Sequence, residues 1–292
     1  MNSKFNSIGI IAKSNDNLVI ESVRVLYKFL QESGIHALLD PDAQKCVQDD
    51  QITSVSVPEM HKDIDLALVI GGDGTLLSAG HSMIEHGIPI VGINRGRLGF
   101  LTEITPENML NDIEQVLLGN YYQQDRSALI ATLFRGDQQL KRCIALNDVV
   151  VHSHDVVRMI ELETSINGEH LNSLRADGLI VSTPTGSTAY ALSGGGPIVH
   201  PNVPATVLVP ICPHTLSNRP IVIDEKSHIE ITYSTHNELP GRASIDGQLN
   251  TEIIAGDKIL VEPSPNSLKL LQPKNYSYFK VLRTKLNWSI QP

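Results

Sequence analysis

At 292 residues the chain is long enough for two ordinary domains with real hydrophobic cores, so neither disulfides nor a structural metal is needed to hold it together. Cys46, Cys143 and Cys212 are odd in number, widely spaced and without a Cys-x-x-Cys pair, which argues against a disulfide framework, a zinc site or a redox motif and for a reducing, cytoplasmic setting. A formal net charge of −9, with no Lys/Arg block among aromatics and no apolar run long enough to span a bilayer, argues against nucleic acid and membrane as partners.

The start, Met1 to Ile11, lacks the basic, apolar and small-residue succession of a signal peptide, and none is expected. Ile8 to Ala12 predicts a strand, and Val19, Val23, Leu26, Tyr27 and Leu30 recur at helical spacing until Gly34 ends the pattern. Further strands are predicted at His36 to Asp40, at the uniformly apolar Leu66 to Ile70 and at Ile88 to Ile93, with helices from Leu76 to Ile84 and between Pro106 and Leu118. This succession predicts a doubly wound α/β domain over residues 1–121.

From Tyr122 the segments shorten and alternate, with a Gly-Asp turn at Gly136 and an Asn-Gly hairpin signal at Asn167-Gly168. Strands are predicted at Leu179 to Ser182, Ala205 to Val209, Ile221 to Ile223, His228 to Tyr233, Arg242 to Ile245 and Lys258 to Glu262, a β-rich domain over residues 122–272. In the tail, residues 273–292, Tyr276, Tyr278, Phe279, Leu282, Leu286 and Trp288 follow an amphipathic rhythm that predicts docking onto a domain.

An acidic body repels an anionic nucleotide, so a nucleotide site here needs local arginines, backbone N–H groups or a divalent cation. Gly71-Gly72-Asp73-Gly74-Thr75 follows the buried strand Leu66 to Ile70, the strand-end position where open α/β sheets bind ligands. Glycines let the backbone approach a phosphate, and the N–H groups opening the next helix attract negative charge. Asp73 can bind a cation or accept a proton there; the bland alternative is an N-cap on a tight turn. The segment is neither a P-loop nor a Rossmann fingerprint.

A second loop, Asn94 to Thr102, follows the next strand and carries Arg95 and Arg97, either phosphate partners or solvated turn residues. Between Arg175 and Pro197 the chain is rich in Gly, Ser, Thr and Pro, the composition of a loop that presents hydroxyls and backbone donors to a ligand, although Ser187 or Thr188 can simply cap a short helix. His152 and His154 read as solvated strand ends, since no third ligand is spaced for zinc.

Together these segments resemble the NAD kinase family along nearly the whole chain. Gly-Gly-Asp-Gly-Thr is also similar to diacylglycerol and sphingosine kinases and to 6-phosphofructokinases. The narrower resemblance lies in Gly92-Ile93-Asn94 through Leu98 to Thr102, in Asp177-Gly178 and in Thr183 to Tyr190. The resemblance implies a β-sandwich-like second domain, NAD held between the domains and a tail returning to the first. It implies that Asp73 accepts the proton of the adenosine ribose 2′-hydroxyl, that Gly71, Gly72, Gly74 and Thr75 frame the ATP phosphates, and that Gly74 also borders NAD.

By the same resemblance Asn147, Asp148, Arg158, Arg175, Asp177, Thr188, Ala189, Tyr190, Ser193 and Gln248 meet NAD, with Asp148 standing where the family usually has a longer Glu. ATP and NAD are then the substrates, Mg²⁺ the expected cation without assigned ligands, and a homo-oligomer, dimer or tetramer, the expected assembly. Two other readings stay open from the residues: a lipid kinase sharing the first loop, and a non-catalytic NAD(H)-binding sensor.

Overall fold

A strand apolar at every position needs cover on both faces, and the first part of the chain is built of such strands. The computed structural model describes residues 3–13, 16–47, 53–96, 98–154, 159–215 and 217–288. In chain order it begins β1 (Ser7–Ala12), α1 (Asn17–Glu32), β2 (His36–Leu39), α2 (Pro41–Val47), α3 (Val57–Met60), β3 (Leu66–Ile70), α4 (Asp73–Met83), β4 (Ile90–Ile93), α5 (Met109–Leu117) and β5 (Tyr121–Arg126). All of β3 and β4 is buried. Val19, Val23, Leu26 and Leu30 form the buried stripe of α1, which Asp16 caps by accepting from the Leu18 N–H at 3.0 Å and which gives way to Gly34 at φ +70°.

The following strands are short and mostly alternating: β6 (Leu129–Arg135), β7 (Gln138–Ala145), β8 (Asp148–Ser153), β9 (Ile160–Ile166), β10 (Glu169–Ala176) and β11 (Gly178–Ser182). A short helix α6 (Tyr190–Ser193) precedes β12 (Ala205–Ile211), β13 (Ile221–Asp224), β14 (Ile229–Tyr233), β15 (Gly241–Ile245), β16 (Leu249–Ile253) and β17 (Lys258–Pro263). The chain closes with β18 (Leu268–Pro273) and α7 (Tyr278–Lys285). The β9–β10 hairpin turns on Asn167 and Gly168, both at positive φ, as a type I′ turn requires.

Among the described residues the strands form three six-stranded sheets. The first, in the order β2-β1-β3-β4-β18-β5, belongs to a unit made of Met1–Asp125 and Leu268–Pro292. The other two, β10-β9-β14-β17-β6-β7 and β13-β12-β11-β8-β15-β16, lie in the unit Arg126–Ser267 and share one core, in which Leu133, Leu162 and Ile231 meet Val151, Val181 and Leu208. The second of these sheets is apolar on its other face too, where Val150, Ile180, Val207 and Val209 pack with Ala191 and Val199. That cover brings the segment around α6 over the sheet.

The second compact unit ends at Ser267. β18, where the sequence predicts no strand, pairs in parallel with β4, Leu270 opposite Ile90, and joins the first sheet. α7 opens on Ser277, which accepts from the Lys280 N–H, and buries Tyr278, Val281 and Leu282. Among the described residues no helix is long and apolar enough to cross a membrane.

Candidate active site

In the first unit the chain leaves β3 at Gly71, whose N–H donates to the Ile93 carbonyl at 2.9 Å. A Cβ on Gly71 would come within 2.6 Å of Thr75 Oγ1, so the turn itself requires glycine there. Gly72 is the N-cap of α4 and Asp73 its first helical residue, without a side-chain cap bond. The Asp73 carboxylate is held by the second loop instead: Oδ2 accepts from the Phe100 N–H at 2.9 Å, and Oδ1 from the Leu101 N–H at 3.0 Å and the Thr102 hydroxyl at 3.4 Å.

That second loop is stapled by Asn94, which is only 1% exposed. Its N–H donates to the Ile104 carbonyl at 2.8 Å, its Oδ1 accepts from the Gly96 N–H at 2.7 Å and its Nδ2 donates to the Glu103 carbonyl at 3.4 Å. A Cβ on Gly99 would collide with the Asp73 carboxylate. Asp73, Gly99 and Thr102 line a cavity of about 410 Å³ together with Arg95, Asp16 and Lys285.

The second unit carries a larger cavity of about 630 Å³, lined among others by Asn147, Asp148, Asp177, Ala189, Tyr190 and Asp246. Asp246, in the β15–β16 turn at φ +48°, accepts three backbone N–H groups, from Leu146 at 2.8 Å, Asn147 at 2.8 Å and Asp148 at 2.9 Å. It thereby fixes the chain's entry into β8. Asp148, 5% exposed, has no hydrogen-bond partner for its carboxyl among the described residues; burial pushes that carboxyl up to about 7, and the charge of Asp246 adds to the shift. Asp177 is held by its backbone, its N–H on the Ile211 carbonyl at 2.9 Å and its own carbonyl accepting from Ser153 at 3.0 Å. Tyr190, 48% exposed, stands at the cavity wall.

The hydroxyls of the Thr183–Ser187 stretch face inward, against the expectation from composition. Thr183 Oγ1 donates to the Leu146 carbonyl at 2.6 Å and accepts from Gly186 at 3.1 Å. Ser187 Oγ donates to the Pro184 carbonyl at 2.6 Å and accepts from the Val199 N–H at 3.0 Å. A Cβ on Gly186 would collide with the Asn147 carbonyl, so the loop packs directly on the strand-entry backbone. These residues shape the wall; Ala189 and Tyr190 line it.

The remaining residues implicated by the sequence are dispersed. Thr188 ends a 3-10 turn and bonds the Thr185 carbonyl at 3.2 Å, Ser193 is exposed on α6, and Gln248 is exposed in the turn beside Gly247, which does line the cavity. Arg175 borders a neighbouring cavity of about 250 Å³ that shares Ser153 and His154 with the larger one. Arg158 and Arg97 lie outside the described residues. His152 and His154 line the large cavity, with His154 Nε2 at 2.7 Å from Arg242 Nη2. Asp246 and Lys285 carry no local sequence signal of a site. No group of three or more His, Cys, Asp or Glu able to hold a metal occurs among the described residues.

A glycine-flanked acid at the end of a buried parallel strand, with cationic side chains lining the same cavity, and a strand-walled acidic cleft in the other unit define a two-domain nucleotide phosphotransferase. The profile of the ATP-NAD kinase N-terminal domain matches residues 8–121, and that of the ATP-NAD kinase C-terminal domain residues 146–272. The chain belongs to the NAD kinase family. It is 44% identical over 288 residues to the NAD kinase of Nitrosococcus oceani, covering 99% of this chain and 98% of that one, and 44% identical over 285 residues to that of Teredinibacter turnerae, covering 98% and 97%. Among solved structures it is similar to yeast NADH kinase complexed with NADH, at a TM-score of 0.90 and 25% identity over 100% of this chain and 90% of that one. An Archaeoglobus fulgidus NAD kinase in complex with ATP matches at a TM-score of 0.74 and 26% identity, over 98% and 100%.

Proposed function

We propose that the chain transfers the terminal phosphate of ATP to the 2′-hydroxyl of the adenosine ribose of NAD, giving NADP. The observation that carries this reading is the Asp73 carboxylate, both of whose oxygens are oriented by N–H groups of the second loop inside a cavity that Arg95 and Lys285 also line. A ribose hydroxyl is too weak an acid to ionise near neutral pH, so a positioned carboxylate takes its proton as the bond to phosphorus forms. Oδ2, which accepts one hydrogen bond, keeps a further lone pair for that proton. Gly74 is unconstrained by packing, since a Cβ there meets nothing within 4 Å, and the clear space suits a phosphate.

Asn147, Asp148, Asp177, Ala189 and Tyr190 are assigned to NAD, in the cleft they line. Arg158, Arg175, Thr188, Ser193 and Gln248 are assigned to it on the resemblance alone. Mg²⁺ is bound in phosphotransferases by one or two carboxylates plus the substrate phosphates, and among the described residues Asp73 and Asp16 are the carboxylates lining this cavity. When bound, the ion neutralises charge on the transferring phosphate. Three cysteines without disulfide partners suit a reducing cytoplasm.

The reading is tested by incubating the protein with ATP, Mg²⁺ and either NAD or NADH and assaying NADP or NADPH with specific coupling enzymes. NAD binding without turnover would favour a sensor, and phosphorylation of diacylglycerol in place of NAD a lipid kinase; neither alternative draws support from the relatives. Gly99→Ala is expected to lower kcat at least tenfold with little change in KM for NAD, because the new methyl displaces the Asp73 carboxylate. A kcat within twofold of the parent would mean the loop yields and the carboxylate does not need it. A homo-oligomer, dimer or tetramer, is expected in solution; sedimentation as a fully active ~32 kDa monomer would refute this.

A further inference from the structure

Among the described residues Lys285 is the one group lining the Asp73 cavity that comes from the far end of the chain, in the last turn of α7. Its Nζ lies 5.5 Å from the centre of the Phe100 ring, the residue whose N–H holds Asp73 Oδ2. Among the described residues neither Lys285 nor Arg95, the other cation lining the cavity, is in an ion pair with a carboxylate. In a protein of net charge −9, two cations left without carboxylate partners beside a helix N-terminus form a local exception to the overall field. A basic residue closing a helix has an ordinary use, complementing the helix dipole, and Arg283 in the same turn serves that use without lining the cavity.

The geometry points to Lys285 as a ligand of the donor's phosphate chain, so that the tail helix supplies part of the ATP site. This rests on the kinase reading above and names a group for it that the loop motifs do not contain. The Phe100 face holds the ammonium through the ring quadrupole, and among the described residues its N–H donors have no hydrogen-bond acceptor, which suits an acceptor with several oxygens. Phosphate oxygens fit that description; the diphosphate of NAD offers them too, and an unchanged KM for NAD separates it from the donor's chain.

The test compares Lys285→Ala, Lys285→Met, Lys285→Arg and the control Arg283→Ala in the full-length protein, with kcat, both KM values and Tm measured for each. Losing one charge-assisted contact to phosphate is expected to raise KM for MgATP about 10- to 100-fold in Lys285→Ala and Lys285→Met, with KM for NAD within about twofold. Lys285→Arg should recover most of the loss, and Arg283→Ala should leave both constants alone. Inorganic tripolyphosphate, used as a competitor of ATP, should weaken in parallel with ATP in Lys285→Ala, while competition by adenosine should not change. A KM for MgATP within twofold of the parent in Lys285→Met, at unchanged Tm, would overturn the assignment, as would a change in Tm alone. If the parent itself makes no NADP, calorimetry with tripolyphosphate still reads the Lys285 contact, so the two failures are separable.

Discussion

Asp73→Asn is expected to lower kcat by on the order of 10² to 10⁴, with the affinity for NAD changed less than about threefold. The proton leaves the hydroxyl only as the new P–O bond forms, so the base is needed in the transition state and contributes little to the bound ground state. The amide also fits its surroundings poorly. Asp73 presents acceptors to the N–H groups of both Phe100 and Leu101, and an amide has one acceptor oxygen and one donor nitrogen. Whichever way it is turned, an N–H faces an N–H, and the second loop must shift. A modest fall in Tm is therefore expected beside the loss of rate, whereas Asp73→Glu should keep the acceptors but misplace them. A variant retaining more than half of the parent kcat would remove Asp73 from the chemistry.

Asp148→Ala is expected to weaken NAD about 10- to 100-fold, because a carboxylate without a hydrogen-bond partner among the described residues is available to accept from ligand hydroxyls. Asp148→Glu should remain active, restoring the length the family usually has. The acidity of this group adds a pH signature. Its carboxyl titrates near 7 in the folded protein against an ordinary value of 3.8. Between these two values the folded state keeps a proton that the unfolded chain has lost. Stability relative to Asp148→Asn should consequently decline as pH rises from about 4 to about 7 and level off above it. The ionised form accepts stronger, charge-assisted bonds from ligand hydroxyls, so KM for NAD should fall as pH rises through neutrality in the parent and stay flat in Asp148→Asn. An unchanged KM in Asp148→Ala would take Asp148 out of the site and leave it a role in the strand alone.

The first sheet was largely legible because β3 and β4 are apolar throughout, β1 nearly so, and the helices between them carry clean stripes such as Val19 to Leu30. The Gly71–Thr75 loop was legible for the same reason: a buried strand that ends in three glycines and an acid leaves few other uses for them. β18 was not, since Leu-Lys-Leu-Leu-Gln-Pro suits a sandwich strand as well as a parallel one, and only its pairing with β4 decides. The hydroxyls of Thr183 and Ser187 misled because small polar residues serve a tight buried loop as well as a ligand, by bonding carbonyls of the chain itself. Asp246 sits in a turn, and that it also accepts N–H groups some hundred residues away, at 146–148, is a fact of tertiary packing that no local pattern announces. The amphipathic tail was visible, but no periodicity tells which cavity Lys285 reaches.

The place of β18 has a consequence for the order in which the chain matures. It sits between β4 and β5 in the first sheet, yet it is synthesised after the whole of Arg126–Ser267. Until Leu268–Pro273 leaves the ribosome, β4 has an open edge and β5 has no neighbour, while the later-made strands β6 to β17 already have every partner they need. Vectorial synthesis ordinarily lets the amino-terminal part settle first. Here the middle of the polypeptide can finish ahead of its beginning, and a chain truncated after Ser267 and released would carry a complete pair of sheets and an unfinished one whose open edge invites pairing with another chain.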